Sequence, residues 1–494
     1  MMSVIRTSSG PNKAWRAGWM ATGIAPGASA TAAKRPPLQA AGPRHPFARP
    51  EIAADLARRE EKISRAFTDL ETVLRELAPR QFDPTFPAHA MARLASLGID
   101  AQPEWFEADW ERPLDMADLR ARLTLRLFAR LVETESDRNA GAYDEGEPVD
   151  ELVRRWGFHA IDITPCSDGR LAGLLGAVLR IPLSIVTARK SFAGAMFNVA
   201  QNLHEWEEVE LKRHREGIPN PPSAGTRYLK IGVYHFSSVD PCHAGCAAHG
   251  SDTTRAMTAL HTRLLEFQGA AQAMHGAGDE IALLLIGVDT DTDAIRVHVP
   301  DARGRIEVDR HVDAADLYTL TRDMTREGAK DAIRQEVARA AGVSPDDAGT
   351  EGMRWFCGYL LKNNIEQVDA VLQRFGGPYA DAGHAEKLIV IGDAVDDVQM
   401  RNLAFQAQMT SVEAGAADLQ VGLSILSKTV RPNVPVLVLR NFDPDIPGDD
   451  RDAAETASRM RAAAVALAGE TAVTVEAALR SSEGGPLNFL EDAR

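Results

Sequence analysis

The chain has 494 residues, which is more than one hydrophobic core usually serves, so we expect two or three domains. Apolar residues at 45% and charged residues at 25% are typical of globular proteins and exclude a fibrous or wholly disordered chain. The formal net charge of −15 argues against nucleic acid as a partner of the folded part.

Cysteine content and hydropathy limit the cellular compartments in which the protein could reside. Four cysteines in a chain of this length make a poor disulfide framework, so we expect a protein of a reducing cytoplasm. The longest mainly apolar run, at 281–288, is far shorter than the roughly 20 residues of a membrane-spanning helix. We therefore expect no membrane segment.

The first 49 residues differ from the rest of the chain. They are rich in Ala, Gly, Pro and Ser, and residues 1–50 contain seven Lys or Arg but no acid. Such a segment cannot bury enough apolar surface to fold alone, so we expect a disordered basic arm over 1–49. It fits an organellar transit peptide. It also fits a docking arm in which Trp15, Trp19 and Phe47 anchor an acidic surface.

A helical N-terminal domain is predicted for residues 50–145. Apolar residues recur there at intervals that place them on one helix face, and they include Leu56, Ile63, Phe67, Leu70, Leu74 and Leu77. A second amphipathic run covers 116–134, and a shorter one covers 150–156. The segment 139–147, with its glycines and acids, marks the boundary.

Beyond residue 145 short apolar runs alternate with helical ones, which predicts an α/β fold with a largely parallel sheet. In the region 146–384 we predict strands at 160–164, 228–236 and 281–288 and a helix at 252–274. In the region 385–494 we predict strands at 388–391 and 434–439 and helices at 398–408, 418–426 and 452–467. No Cys follows Cys357 and no His follows His384, so this last region cannot hold a Cys/His metal site.

The segment Cys166-Ser-Asp-Gly-Arg170 follows directly on the first predicted strand. The carboxyl end of a parallel strand is where open α/β sheets place their functional groups. A thiolate binds zinc well, and Arg170 can keep Asp168 ionised and oriented through a charge-assisted pair. Taken alone, the segment fits a buried Cys beside a salt bridge equally well.

Two further candidate ligands lie later in the chain. His235 is near the end of the strand 228–236, and Cys246 follows in a loop flanked by glycine. With Cys166 they make three protein ligands, which is the catalytic arrangement of zinc, whereas structural zinc normally takes four. His243 is an alternative ligand, and Cys242 and His249 also lie nearby. We prefer His235 because its strand fixes its direction.

Longer blocks carry a family resemblance. They are CSDGRL at 166–171, KSFAGAMF at 190–197, SSVD at 237–240, GCAAHGSD at 245–252 and LLIGVDTDTDAIRVHV at 284–299. With these blocks the chain, from about residue 50 to its C terminus, resembles the carboxysome shell carbonic anhydrases, a divergent branch of the β-type enzymes that is also called the epsilon class.

The resemblance implies a fold and a metal. Family members have a helical N-terminal domain, a catalytic β-type domain, and a C-terminal domain similar to a second β-type unit that lost its metal ligands. One Zn²⁺ per chain would be held by Cys166, His235 and Cys246. Ordinary β-type enzymes place the His three positions before the second Cys, where this chain has His243, so His243 stays open as the ligand.

The resemblance also implies a mechanism. Hydroxide generated at zinc near neutral pH would attack carbon dioxide to give bicarbonate. Asp168 would accept the hydroxide's proton in a hydrogen bond, and Arg170 would fix the carboxylate, so both are candidate catalytic residues. His384, or another exposed His, is a candidate proton shuttle.

The implied setting is the interior of the carboxysome, where the enzyme would supply carbon dioxide to Rubisco. The arm at 1–49 would contact Rubisco or shell proteins, and the chain would form a homo-oligomer. Two other functions stay open. A β-type zinc hydrolase of carbonyl sulfide or carbon disulfide would use the same ligands, whereas a structural or tethering shell protein would add a fourth ligand such as Cys242.

The triplet Asp289, Asp291 and Asp293 imitates the start of a calcium-binding loop. Ala294 and Pro300 occupy the positions where such a loop requires Gly and Glu. We therefore expect no calcium there.

Overall fold

The N-terminal region is helical, as predicted. The computed structural model describes residues 44–107, 113–135, 149–217, 227–346, 351–395, 398, 400–430 and 432–491. Helices α1 (Pro50–Leu77), α2 (Phe86–Ser96) and α3 (Met116–Thr134) pack through their apolar faces. Asp115 accepts the backbone N–H groups of Ala117 and Asp118 and so fixes the residue at which α3 begins.

Residues 44–49, here called the anchor segment, join α1 to the middle region of the chain. His45 and Phe47 are only 3% and 2% exposed. The backbone N–H of His45 donates to Asp369 Oδ1, and Arg49 forms an ion pair with the buried Glu366. Phe47 is therefore packed against its own chain and is not free to bind a partner. Residues 1–43, with Trp15 and Trp19, lie outside the described residues.

The middle region is built on a six-stranded sheet with strand order β2-β1-β3-β4-β5-β6. The parallel strands are β1 (Ala160–Pro165), β2 (Val186–Arg189), β3 (Tyr228–Phe236) and β4 (Ile281–Asp289), and the antiparallel ones are β5 (Ile295–His298) and β6 (Val312–Asp313). Every residue of β1 and β3 is buried, as expected for strands with both faces covered. The helices of this region are α4 (Val149–Arg155), α5 (Val199–Arg215), α6 (Thr253–His275), α7 (Ala314–Thr321), α8 (Arg326–Ala341) and α9 (Glu351–Phe375).

The C-terminal region has a five-stranded sheet with strand order β11-β10-β9-β7-β8. Strands β7 (Leu388–Gly392), β8 (Ala404–Gln408), β9 (Val434–Phe442) and β10 (Val473–Ser481) are parallel, and β11 (Gly484–Phe489) is antiparallel. Helices α10 (Val412–Thr429) and α11 (Asp449–Ala468) pack on one face of this sheet. The helices of the N-terminal region pack on the other face.

The helix predicted at 398–408 is wrong, because residues 404–408 form strand β8 beside β7. A short apolar run cannot be assigned to helix or buried strand from periodicity alone. Here the backbone N–H groups of Gln406 and Gln408 donate to the carbonyls of Ser167 and Ser191 in the middle region. Contacts with another part of the chain therefore favour the extended conformation.

The two sheets share one topology. In each sheet the second strand along the chain lies at the edge, beside the first. The third and fourth strands follow on the other side of the first, and an antiparallel fifth strand comes next. The two sheets can be aligned at the last residue pair that joins the first and third strands. In this alignment Asp393 takes the place of Cys166, and Asn441 takes the place of His235. The C-terminal region therefore repeats the architecture of the middle region without Cys or His at these two places.

The predicted fold class is confirmed: a helical N-terminal region precedes two α/β regions that each contain a largely parallel sheet. None of the helices in the described ranges is long and apolar enough to cross a membrane.

Candidate metal centre

The carboxyl ends of β1 and β3 bring three metal-binding side chains together. Cys166 follows β1, His235 lies near the end of the adjacent β3, and the loop after β3 returns Cys246 to the same point. One donor atom of each residue lies within 4.8 Å of the other two, and the Sγ atoms are 3.9 Å apart. All three residues are buried. The structure thus assembles the three side chains that were predicted as ligands.

The chemistry of this cluster fits a zinc ion. Neither ring nitrogen of the buried His235 has a hydrogen-bond partner, although leaving a buried polar atom unpaired is costly. A cation would satisfy one of these nitrogens. Two sulfurs and an imidazole are a donor set that zinc prefers, and three protein donors leave the fourth tetrahedral position open.

The alternative donors lie elsewhere. The side chain of His243 is 82% exposed, and its Nδ1 contacts Asp240. Cys242 is exposed. Among the described residues, neither belongs to a group whose donor atoms converge. The geometry therefore favours His235 over His243 and gives no support to Cys242 as a fourth ligand.

Asp168 and Arg170 form a buried pair beside the three donors. Arg170 Nη2 lies 2.8 Å from Asp168 Oδ2, and Arg170 Nε lies 2.9 Å from Oδ1. Asp168 Oδ2 is 3.4 Å from His235 Nε2. Burial opposes ionisation, but Arg170 together with His235 and His384 outweighs it and holds the pKa of the Asp168 carboxyl well below its usual range. An ionised, oriented acceptor therefore faces the cluster.

Arg170 is itself held from several sides. Its Nη1 donates to the carbonyl of Ala244 at 2.8 Å and contacts Thr290 Oγ1 at 3.2 Å. Its side chain has no exposed surface. Because these contacts fix the guanidinium, the position of the Asp168 carboxylate is fixed as well.

Comparison with known proteins bears on all three regions. Models of the carboxysome shell carbonic anhydrase N-terminal, catalytic and C-terminal domains match residues 45–136, 148–384 and 385–485. The carboxysome shell carbonic anhydrase of Halothiobacillus neapolitanus is 39% identical over 416 residues, which are 82% of this chain and 81% of that protein. Proteins of the same name match in Prochlorococcus marinus strain MIT 9313, at 39% over 84% of this chain and 81% of that protein, and in Hydrogenovibrio crunogenus, at 34% over 82% and 78%.

The chain belongs to the carboxysome shell carbonic anhydrase family. This membership confirms the predicted enzyme class, a carbonic anhydrase, and the predicted location in the carboxysome.

In this member of the family a second polar group lies beside the pair formed by Asp168 and Arg170. His384 Nε2 is 3.9 Å from Asp168 Oδ2 and 3.3 Å from Arg170 Nη2, and its Nδ1 is 3.1 Å from Glu386 Oε1. The same Glu386 oxygen accepts the backbone N–H of Gly169 at 3.1 Å. A Cβ atom at Gly169 would lie 2.3 Å from Glu386 Cγ, so this close approach requires glycine.

Sequence reasoning missed Glu386. The residue belongs to the segment that leads into β7, far along the chain from the Cys166–Arg170 segment, and no spacing rule connects the two. Its position so close to the last His of the chain was the only available signal.

The two sulfurs differ in their surroundings. The N–H of Gly194, within the block 190–197, donates to Cys166 Sγ at 3.2 Å. The contact with Cys166, with a smaller effect of nearby backbone N–H groups, lowers the pKa of the Cys246 thiol despite its burial. The same contact, together with burial, raises the pKa of the Cys166 thiol well above its ordinary value. Of the two sulfurs, Cys246 therefore carries negative charge more readily.

Proposed function

We propose that the chain interconverts carbon dioxide and bicarbonate at one Zn²⁺ held by Cys166, His235 and Cys246. The observation that carries this proposal is the convergence of two sulfurs and an imidazole whose ring nitrogens make no hydrogen bond. Zinc in such a site would lower the pKa of water and so supply hydroxide near neutral pH. Family membership supports the reaction, because the relatives are named carbonic anhydrases.

Asp168 and Arg170 would direct the nucleophile. Both carboxylate oxygens of Asp168 bind Arg170, and Oδ2 also faces His235. Asp168 therefore stays ionised, and it can only accept a hydrogen bond. By accepting one from the O–H group of the nucleophile, it would turn the oxygen lone pair toward carbon dioxide. Arg170 would contribute by holding the carboxylate in place.

Zinc content and carbon dioxide hydration, measured together, test this assignment. Wild-type protein should hold about one zinc per chain, and Cys166→Ser should lose both metal and activity. Asp168→Asn should keep zinc while turnover falls about 100-fold or more, because the amide cannot act as an ionised acceptor. Cys242→Ser, which changes an exposed cysteine outside the cluster, is the matched control and should match wild type. Full activity of a zinc-free Cys166→Ser protein would refute the proposal.

We propose further that the enzyme supplies carbon dioxide to Rubisco inside the carboxysome and is recruited by its basic arm. The first 43 residues contain five Lys or Arg and no acid, which suits an acidic surface on Rubisco or a shell protein. Deleting residues 1–43 leaves the anchor segment in place, so recruitment can be tested without removing that contact. Unchanged recruitment at all salt concentrations would exclude the arm as the tether. Self-association stays a prediction that light scattering can check.

A further inference from the structure

The side chain of His249 joins the turn that carries Cys246 to the loop that faces Cys166. The backbone N–H of His249 donates to the carbonyl of Cys246 at 3.1 Å. Its imidazole Nε2 lies 3.3 Å from the carbonyl oxygen of Gly194. The N–H of Gly194 in turn donates to Cys166 Sγ at 3.2 Å. His249 thus connects the two segments that bring the sulfurs together.

The contact between His249 and Gly194 is close and directional. A carbonyl oxygen only accepts, so His249 Nε2 must carry the proton and donate it. Gly194 has φ 66°, a left-handed conformation that suits glycine, and a Cβ atom there would lie 2.5 Å from His249 Nε2. The loop is therefore shaped to receive this imidazole.

The Gly194 loop is also held by bonds of its own. It runs beside the end of β1, where the N–H of Ser167 donates to the carbonyl of Phe192, and the N–H of Ala195 donates to the same carbonyl. The N–H of Ala193 donates to Asp418 Oδ2 on α10. The imidazole of His249 adds a contact to the carbonyl of Gly194, the residue whose N–H faces the sulfur.

We infer that His249 is a positioning residue that aligns the Cys166 thiolate for the metal by holding Gly194 beside it. This inference rests on the proposed zinc site. Two thiolates whose sulfurs are 3.9 Å apart repel each other. The N–H donated by Gly194 reduces that repulsion and sets the direction of a Cys166 lone pair, which is how groups outside the ligand set commonly raise metal affinity.

His249 does not act as a ligand in this arrangement. Its Nε2 is occupied by Gly194, and among the described residues it belongs to no converging group of donors. Its imidazole is instead a spacer of fixed length between the turn that carries Cys246 and the loop that faces Cys166. Removing the side chain should loosen the loop and leave the three ligands present.

Three variants separate this role from a general effect on stability. His249→Phe keeps a ring of similar size but removes the donor. His249→Gln keeps an N–H donor near the position of Nε2 and is the conservative rescue. His243→Phe makes the same change at an exposed His of the same loop and is the matched control. If His249→Phe does not fold by circular dichroism, His249→Ala removes the donor without steric demand and takes its place.

The readouts are the rate of zinc transfer to a chromophoric chelator and the sulfur-to-metal charge-transfer band of the Co²⁺-substituted protein. His249→Phe should weaken metal binding about 10-fold or more and shift the band. His249→Gln and His243→Phe should stay close to wild type. Metal affinity and a spectrum unchanged in His249→Phe would overturn the inference, as would a His249→Gln variant no better than His249→Phe. Wild-type protein without any thiolate charge-transfer band would instead refute the metal site itself.

Discussion

At the scale of single residues, His384 has the geometry of a proton acceptor. Glu386 is a carboxylate 3.1 Å from Nδ1, so Nδ1 carries a proton and Nε2 is the nitrogen that titrates. Nε2 faces Asp168 and Arg170, while the side chain is 22% exposed and so reaches solvent. Burial acts to lower the pKa of His384, but Glu386 and Asp168 outweigh it, and the pKa lies above its ordinary value of 6.5.

We therefore predict that His384→Ala slows carbon dioxide hydration in weak buffer by about 10-fold or more, because proton transfer out of the site loses its acceptor. Hydration needs the neutral imidazole, and its neutral fraction grows as pH rises through the raised pKa. Wild-type kcat should thus rise with pH above 6.5, and this rise should vanish in the variant. Stopped-flow assays across this pH range measure it. Added imidazole should restore the rate, and a variant with a wild-type profile would exclude the shuttle.

Two of the three residues of the candidate metal cluster could be placed together from the sequence because they are tied to strand ends. Cys166 and His235 lie next to buried strands, so their common position follows from the rule for parallel sheets. Choosing His235 over His243 needed the course of the loop, which the sequence does not specify. Glu386 could not be predicted at all, since it reaches Gly169 only through packing between distant parts of the chain.

At the scale of elements, the turn after β4 holds the segment that follows His235. Asp291 Oδ2 accepts the hydroxyl of Ser237 and the backbone N–H of Val239, both at 2.7 Å. Asp289 accepts the backbone N–H of Ser238 at 3.0 Å. The acidic triplet that imitates a calcium loop thus binds the neighbouring strand end, and its carboxylates position His235 through the backbone.

Asp291→Ala should destabilise the protein by about 2–4 kcal/mol, because the buried hydroxyl of Ser237 and the part-buried N–H of Val239 lose their shared acceptor. The end of β3 should loosen with it, and zinc should transfer to a chelator faster than from wild type. Thermal unfolding and the zinc transfer rate are the measurements. Asp240→Ala, at an exposed Asp of the loop after β3, should change stability by less than about 0.5 kcal/mol. Equal stability of the two variants would show that the turn does not hold the strand end.

The sequence pattern located those elements whose conformation is determined by their own apolar residues. Strand β3 was predicted with its observed bounds, since nine consecutive buried residues leave little choice. Strand β8 was mistaken for part of a helix, because its extended form depends on bonds from Gln406 and Gln408 to the middle region. Local patterning predicts an element that is stabilised by its own residues. It fails for an element that is stabilised by contacts with another region of the chain.

At the scale of the whole molecule, the two α/β regions divide one task. The middle region supplies the three candidate ligands, and the C-terminal region, with Asp393 and Asn441 at the corresponding places, supplies support. Glu386 binds Gly169, and β8 runs beside the loop after β1. The absence of Cys and His after residue 384 predicted that this region lacks a site of its own. Its supporting contacts could be found only from the packing.

The anchor segment gives the N-terminal helices a fixed attachment, and its worth can be measured by two truncations. Deleting residues 1–49 removes the buried Phe47 and the ion pair of Arg49 with Glu366, whereas deleting 1–43 keeps both. Burying one Phe side chain contributes about 2–3 kcal/mol, so the longer deletion should melt about 2–3 °C below the shorter one. Phe47→Ala in the full chain should reproduce much of the difference. Equal melting temperatures for the two truncations would mean that α1 is held by its other contacts alone.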